Sequence, residues 1–358
     1  MKTFKGTAAY CGIGNDIEDI CKHLEIAASV GINAVFTSLQ LPESDKEQLL
    51  REFPIMVKKA HSLGMFVDAD IGERSAKLFG IGLHDFDAFN DLGIDIVRLD
   101  NGYTSEKLVE ASHNKYGLIA EINAAHVSDE QLSRLVELGI NKEKIHFCHN
   151  YYPMRYTGFS FDDAKTANDI IHKYGFRVGG FIASWTHHRM GCGFGLPTIE
   201  NHRYMKPFIS IQDGYLAGYD DMFFGDDFAD VSELKLLVET DPSVVKLHME
   251  PLVDDEIIDW IFDRELLQTQ CGLEMMVRSN FDKSTYPGYV DGFKSAPRKR
   301  GDVTVCKSPY LRYKGEIQIV RKDMPEDPDI ATIGRIAEDD IMLLDTYRSS
   351  KPFMLIRK

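Results

Sequence analysis

"HSLGMFVDAD", residues 61 to 70, closes an amphipathic stretch on a glycine, then runs apolar and finishes on two aspartates. Glycine takes the left-handed backbone that ends a helix without a Cβ penalty, and the apolar run after it has the length of a buried strand. The same signature returns as "SVGI" at 29 to 32, "DLGI" at 91 to 94, "KYGL" at 115 to 118, "ELGI" at 137 to 140 and "KYGF" at 173 to 176. The strands marked this way cover 6–12, 33–39, 65–70, 95–100, 117–123, 144–150, 177–184 and 221–226. Ser44 and Ser128 stand where two of the intervening helices should begin, Ser44 three residues ahead of Glu47 as in a capping box. Strands alternating with helices imply a parallel sheet, and eight such units predict a (β/α)8 TIM barrel, with a doubly wound open sheet as the alternative.

After residue 240 the texture changes to short strands separated by turns: "VVKLHME", "GLEMMVRS", "DVTVCKS", "GEIQIVRK", "ATIGRIA" and "PFMLIRK". Helical patterns remain only at 254–268 and 338–347. The expectation is a catalytic barrel over 1–240 and a mostly β second domain over 241–358, a small closed barrel, with the boundary near "ETDPSV". A chain of 358 residues is longer than one core usually serves, which agrees with two domains.

The formal net charge of −15 argues against a nucleic-acid backbone or an anionic membrane as partner. An anionic small substrate would need a local basic pocket. The N-terminus has neither a sustained apolar segment nor a small-residue cleavage site, and no stretch is long and apolar enough to span a bilayer. Six cysteines without a C-x-x-C pair fit reduced thiols, so a cytoplasmic protein is expected.

Catalytic residues of such barrels stand at the C-terminal ends of the strands. There the sequence places Asp68 and Asp70, Asp100 and Asn101, Glu121 and Asn123, the run His149, Asn150 and Tyr151, then Ser184 and Trp185, and Asp226 and Asp227. Asp68 and Asp70 lie two apart and therefore share one strand face. Any one of these residues could merely cap a helix, but six strands ending this way exceed what loop anchoring requires. Gathered carboxylates raise one another's pKa, so a protonated acid can stand beside an ionised base, the division of labour that glycoside hydrolysis needs. Asp100, His149, Asp226 and Asp227 could instead hold a metal, yet there is no H-E-x-x-H, calcium loop or zinc spacing, and no metal or cofactor is expected. "MGCGFGLPTIENHR", 190 to 203, carries Gly191, Gly193 and Gly195 ahead of Pro197 and is either a phosphate cradle or a plain loop. Arg278 and Ser279 in the second domain are further anion-binding candidates.

"RLDNG" (98–102), "INAA" (122–125), "HNYYP" (149–153) with "TGFS" following, "GLPTIENHR" (195–203), "FGD" (224–226) and "RYKGEIQI" (312–319) together resemble the bacterial 6-phospho-N-acetylmuramidases. The resemblance implies a TIM barrel joined to a cyclophilin-like β domain. It implies hydrolysis of a 6-phosphorylated disaccharide, N-acetylmuramic acid 6-phosphate linked to N-acetylglucosamine, in cytoplasmic cell-wall sugar recycling. The family follows strand three with Asp-Ile, a small polar residue and Pro; here the run is Asp70-Ile71-Gly72-Glu73, which favours Asp70 over Asp68 as the equivalent carboxylate. The catalytic acid and base are then expected among Asp70, Asp100 and Glu121. Asp68, Asn123, His149, Asn150, Tyr151, Glu200 and Asp226 are expected to bind substrate, with Tyr103, Tyr152 and Trp185 available to stack on a sugar ring. Gly193, Gly195, Arg278 and Ser279 are expected to bind its phosphate. The rival functions are a metal-dependent sugar-phosphate aldolase or isomerase, and a non-catalytic phosphosugar-binding protein.

Overall fold

The six helix-ending glycines, Gly31, Gly64, Gly93, Gly117, Gly139 and Gly175, all take positive φ, between 73° and 100°. Each therefore turns the chain from a helix into the next strand, as the repeated signature requires. In the computed structural model, which describes residues 3–99, 103–189, 193–269, 272–281 and 290–358, the chain divides into the units Met1–Thr240 and Asp241–Lys358.

The first unit is a closed barrel of eight parallel strands in chain order. They are β1 (Lys5–Ala8), β2 (Ala34–Ser38), β3 (Phe66–Asp70), β4 (Ile96–Arg98), β5 (Ile119–Asn123), β6 (Ile145–Cys148), β7 (Val178–Ile182) and β8 (Asp221–Asp227). Between and after them run α1 (Ile17–Ser29), α2 (Lys46–Ser62), α3 (Glu73–Leu78), α4 (Phe86–Asp91), α5 (Ser105–Ser112), α6 (Asp129–Glu137), α7 (Phe161–Lys173), α8 (Pro207–Ala217) and α9 (Val231–Glu239). Ser128 caps α6 by accepting from Gln131 N at 3.1 Å. The cap of α2 is Asp45 rather than Ser44: its carboxylate accepts from Gln48 N at 2.8 Å, while the Ser44 hydroxyl turns to the Cys11 carbonyl.

Alternation along each strand separates two cores. Val67 and Ala69 face the helices, whereas Phe4, Tyr10, Phe36, Phe181 and Phe223 fill the barrel itself. Gly6 is set by that filling, because a Cβ there would lie 2.0 Å from the Phe223 ring.

The second unit is a closed barrel of seven strands ordered β10-β11-β13-β12-β14-β9-β15. These are β9 (Val245–Pro251), β10 (Glu265–Gln268), β11 (Met276–Asn280), β12 (Asp302–Cys306), β13 (Ile317–Val320), β14 (Ile330–Ile336) and β15 (Phe353–Arg357). The 254–268 stretch is only half helical. Helix α10 (Glu256–Ile261) stops before Asp263, whose left-handed backbone (φ 57°) redirects the chain into β10, paired with β15. The 338–347 stretch reduces to a 3-10 turn and the single helical turn α11 (Leu343–Thr346).

Candidate active site

Five inward side chains on neighbouring strands share one register row: Ser38 pairs with Asp70, Asp70 with Arg98, Arg98 with Glu121, and Glu121 with His146. Barrel strands are tilted and staggered, so such a row descends obliquely from the mouth into the interior. Asp70 is part-exposed, while Arg98, Glu121 and His146 are buried. From Arg98 downward the charges alternate and pair. Glu121 accepts from Arg98 Nη1 at 2.9 Å, and its other oxygen faces His146 Nδ1 at 2.7 Å. The second ring nitrogen of His146 faces Asp221 at 3.0 Å, and Asp221 also accepts from Arg177 at 2.7 Å and from Phe4 N at 2.6 Å. An ionised carboxylate only accepts, so a carboxylate at each ring nitrogen favours the doubly protonated, imidazolium form of His146. Burial alone would lower the His146 pKa, but the Asp221 and Glu121 hydrogen bonds prevail and raise it to about 10. The same two effects compete at Asp221: burial pushes up, His146 and Arg177 pull down, and the partners win.

Asp70 meets different company. Its Oδ2 accepts from the Ser38 hydroxyl at 2.9 Å and its Oδ1 from the Gln40 amide at 2.6 Å. Both are neutral donors at the end of β2. Gln40 reaches Asp70 past Gly72, where a Cβ would lie 2.1 Å from Gln40 Oε1. Asn150 accepts from Nη2 of Arg98, the register neighbour of Asp70, at 2.5 Å, and the Tyr151 ring packs edge-on against Phe36 and Phe181. The Tyr151 hydroxyl receives Arg189 Nη1 at 3.2 Å, and Arg189 Nη2 donates to Glu43 at 3.1 Å. Burial, with help from Asp70, raises the Tyr151 pKa. Asp68 lies beneath the mouth, buried, with neither oxygen hydrogen-bonded, and burial together with the nearby Glu121 charge pushes its pKa well up. Both effects disfavour its ionised form.

Other candidates are engaged elsewhere. His149 points away from the mouth and pairs with Asn168 of α7 at 2.8 Å, burial lowering its pKa to about 4. Asn123 caps the turn after β5 by accepting from Ala125 N at 2.9 Å. Glu200 ties a loop, accepting from Tyr156 N, Gly158 N and Arg203. Burial would raise its pKa, but Arg203 and those amides hold it down at about 2. Asp226 accepts from the backbone N–H of Ser184, Arg189 and Leu196 at 2.9–3.1 Å. The glycine-rich loop bearing Gly193 and Gly195 thus already closes on an anion, the chain's own carboxylate. In the second unit Arg278 makes two bonds to Glu316, at 2.7 and 2.8 Å, and the Ser279 hydroxyl accepts from Ile317 N. Tyr103 donates to the Leu83 carbonyl, Tyr152 packs on Phe159, and Trp185 stays half exposed. Asp100, Asn101 and Gly191 lie outside the described residues. Among the described residues, no three His, Cys, Asp or Glu side chains gather as a metal-holding group, and no helix is long and apolar enough to cross a membrane.

Models of two domains match the sequence: 6-phospho-N-acetylmuramidase, N-terminal, over residues 5–239, and 6-phospho-N-acetylmuramidase, C-terminal, over 269–356. The chain belongs to the 6-phospho-N-acetylmuramidase family. It is a hydrolase, a glycosidase on a TIM barrel. The fold is similar to the crystal structure of an uncharacterized B. cereus protein, with 26% identity, all of both chains covered and a TM-score of 0.84. It is also similar to a conserved protein of unknown function from Enterococcus faecalis, with 23% identity, 99% of this chain and 97% of that one covered, and a TM-score of 0.69. No match was found among curated proteins.

Ser38, Gln40, Arg98 and Arg189 are residues of the barrel mouth that the sequence reading missed. Two of them carried a signal. Ser38 follows the inward Phe36 by two residues, and Arg98 opens "RLDNG" at an inward position, so alternation could have found both. Gln40 and Arg189 lie past strand ends, where no periodicity operates.

Proposed function

We propose that the barrel cleaves the glycosidic bond of a 6-phosphorylated disaccharide, N-acetylmuramic acid 6-phosphate linked to N-acetylglucosamine, with Asp70 as the carboxylate that meets the reacting centre. The observation that carries this reading is the Asp70 setting: an inward carboxylate at the mouth, part-exposed and accepting from the Ser38 hydroxyl and the Gln40 amide. A glycosidase needs one group to protonate the leaving oxygen and one to activate the attacking nucleophile. Asp100 is the proposed second carboxylate. Where the sugar carries a 2-acetamido group, that group can itself attack the anomeric carbon, and Asp70 would orient it. Asn150 and Tyr151 are proposed to hold sugar hydroxyls. Glu121 we assign to structure, because both of its oxygens are engaged and none of its surface is exposed. Sugars of this kind are phosphorylated on or after entry into a cell, so we place the reaction in cytoplasmic recycling of cell-wall sugars.

The test is a panel of phosphorylated and unphosphorylated disaccharides scored for release of reducing sugar. Cleavage of the 6-phosphorylated N-acetylmuramyl compound, with the unphosphorylated ones left intact, is expected. Turnover of unphosphorylated substrates alone would defeat the reading.

A further inference from the structure

On a chain of net charge −15, a phosphorylated substrate must find its own cations. The anion-binding candidates read from the sequence are taken: the loop amides by Asp226, Arg278 by Glu316, the Ser279 hydroxyl by Ile317 N. Arg189 at the mouth is already balanced by Glu43. A cavity of about 260 Å³ offers an alternative. It opens between the loop after β2 and helix α3, with Gln40, Ser44, Lys46 and Arg74 among its polar lining and Leu49 and Leu78 among its apolar lining. Lys46 and Arg74 are exposed, and neither has a hydrogen-bond or ion-pair partner among the described residues.

We propose that this cavity is the subsite for the substrate's 6-phosphate, with Lys46 and Arg74 as its charge partners; the proposal rests on the phosphosugar reading above. Position supports it. Gln40 forms one wall and at the same time donates to Asp70 at 2.6 Å, so a single side chain separates cavity and carboxylate. In a pyranose, C6 is joined to the anomeric carbon through only C5 and the ring oxygen. A phosphate on C6 therefore lies within a side chain's length of a bond under attack at Asp70. Composition supports it too, since leucine walls suit the methylene of C6 and the two cations suit the dianion beyond it.

The experiment is steady-state kinetics of the unaltered enzyme, Lys46→Met, Arg74→Met and the double variant, on the 6-phosphorylated disaccharide and on its unphosphorylated counterpart, with inorganic phosphate as competitor. For the phosphorylated substrate, KM should rise about tenfold for each single variant and about a hundredfold for the double. The kcat should stay within about twofold, the mark of lost ground-state binding rather than lost chemistry. Inhibition by inorganic phosphate should disappear in the double variant, and Arg74→Lys should keep most of the affinity. A double variant with unaltered KM and phosphate inhibition, in an enzyme that still demands the phosphorylated substrate, would overturn the subsite alone. Equal use of both substrates by the unaltered enzyme would instead overturn the phosphosugar reading, and the subsite with it.

Discussion

Asp70 and Glu121 stand two strands apart on one register row, and the sequence gives little reason to rank one above the other. Asp70 accepts from a hydroxyl and an amide and keeps part of its surface open. Glu121 is enclosed and sits between two cations. The difference teaches that a carboxylate's role follows from its partners. Removing one member of a buried, paired set leaves the other charge stranded in a poor solvent. A hydroxyl and an amide at a mouth fix a carboxylate's geometry without themselves cancelling its charge. One barrel can therefore hold structural acids below and, as we propose for Asp70, a working acid above, made from the same residue types.

The sharpest challenge to that contrast is Asp70→Asn, for which kcat/KM should fall by about a thousandfold while urea unfolding stays near that of the unaltered protein. The opposite pattern is expected below: Asp221→Asn strands His146 and Arg177 and should cost about 3–5 kcal/mol of stability. The pH profile of unfolding sharpens the comparison further. His146 keeps its proton to about pH 10 in the folded chain, against an ordinary value of 6.5. Between those values the folded state holds the extra proton, so stability should drop by about 1.4 kcal/mol per pH unit as pH rises. The contribution is complete below the ordinary value and gone above the folded one. His146→Gln should give a less stable protein with a flatter profile across that window. The smallest effect concerns the Gln40 support: Gln40→Ala should lower kcat about tenfold, and Gly72→Ala should do the same by displacing the Gln40 amide. If Gly72→Ala were silent, Gln40 would not be holding Asp70 in the working enzyme.

The barrel was legible because its signals are local. A glycine that must take positive φ closes a helix wherever it occurs, and an apolar run beyond it has nowhere to go but the sheet. The second unit's 254–268 stretch misled because helix and strand there are each too short to show a period, and the switch rests on the backbone of Asp263. At the site, period-two alternation placed Asp68 and Asp70 on one face, but depth is not a local property. Whether an inward acid reaches the mouth depends on strand stagger, which only barrel closure sets. Glu121 therefore looked equal to Asp70. His149 was misplaced for a simpler reason: in "HFCHN" the inward residues are His146, Cys148 and Asn150, and His149 falls on the alternate face against α7.

The most direct test is a crystal structure of the Asp70→Asn enzyme soaked with the 6-phosphorylated disaccharide. The account predicts the scissile glycosidic bond about 3–3.5 Å from the side chain at position 70, with Glu121 still paired to Arg98 and His146 beneath it. A sugar seated away from position 70, or one reaching Glu121 through a broken Arg98 pair, would contradict it.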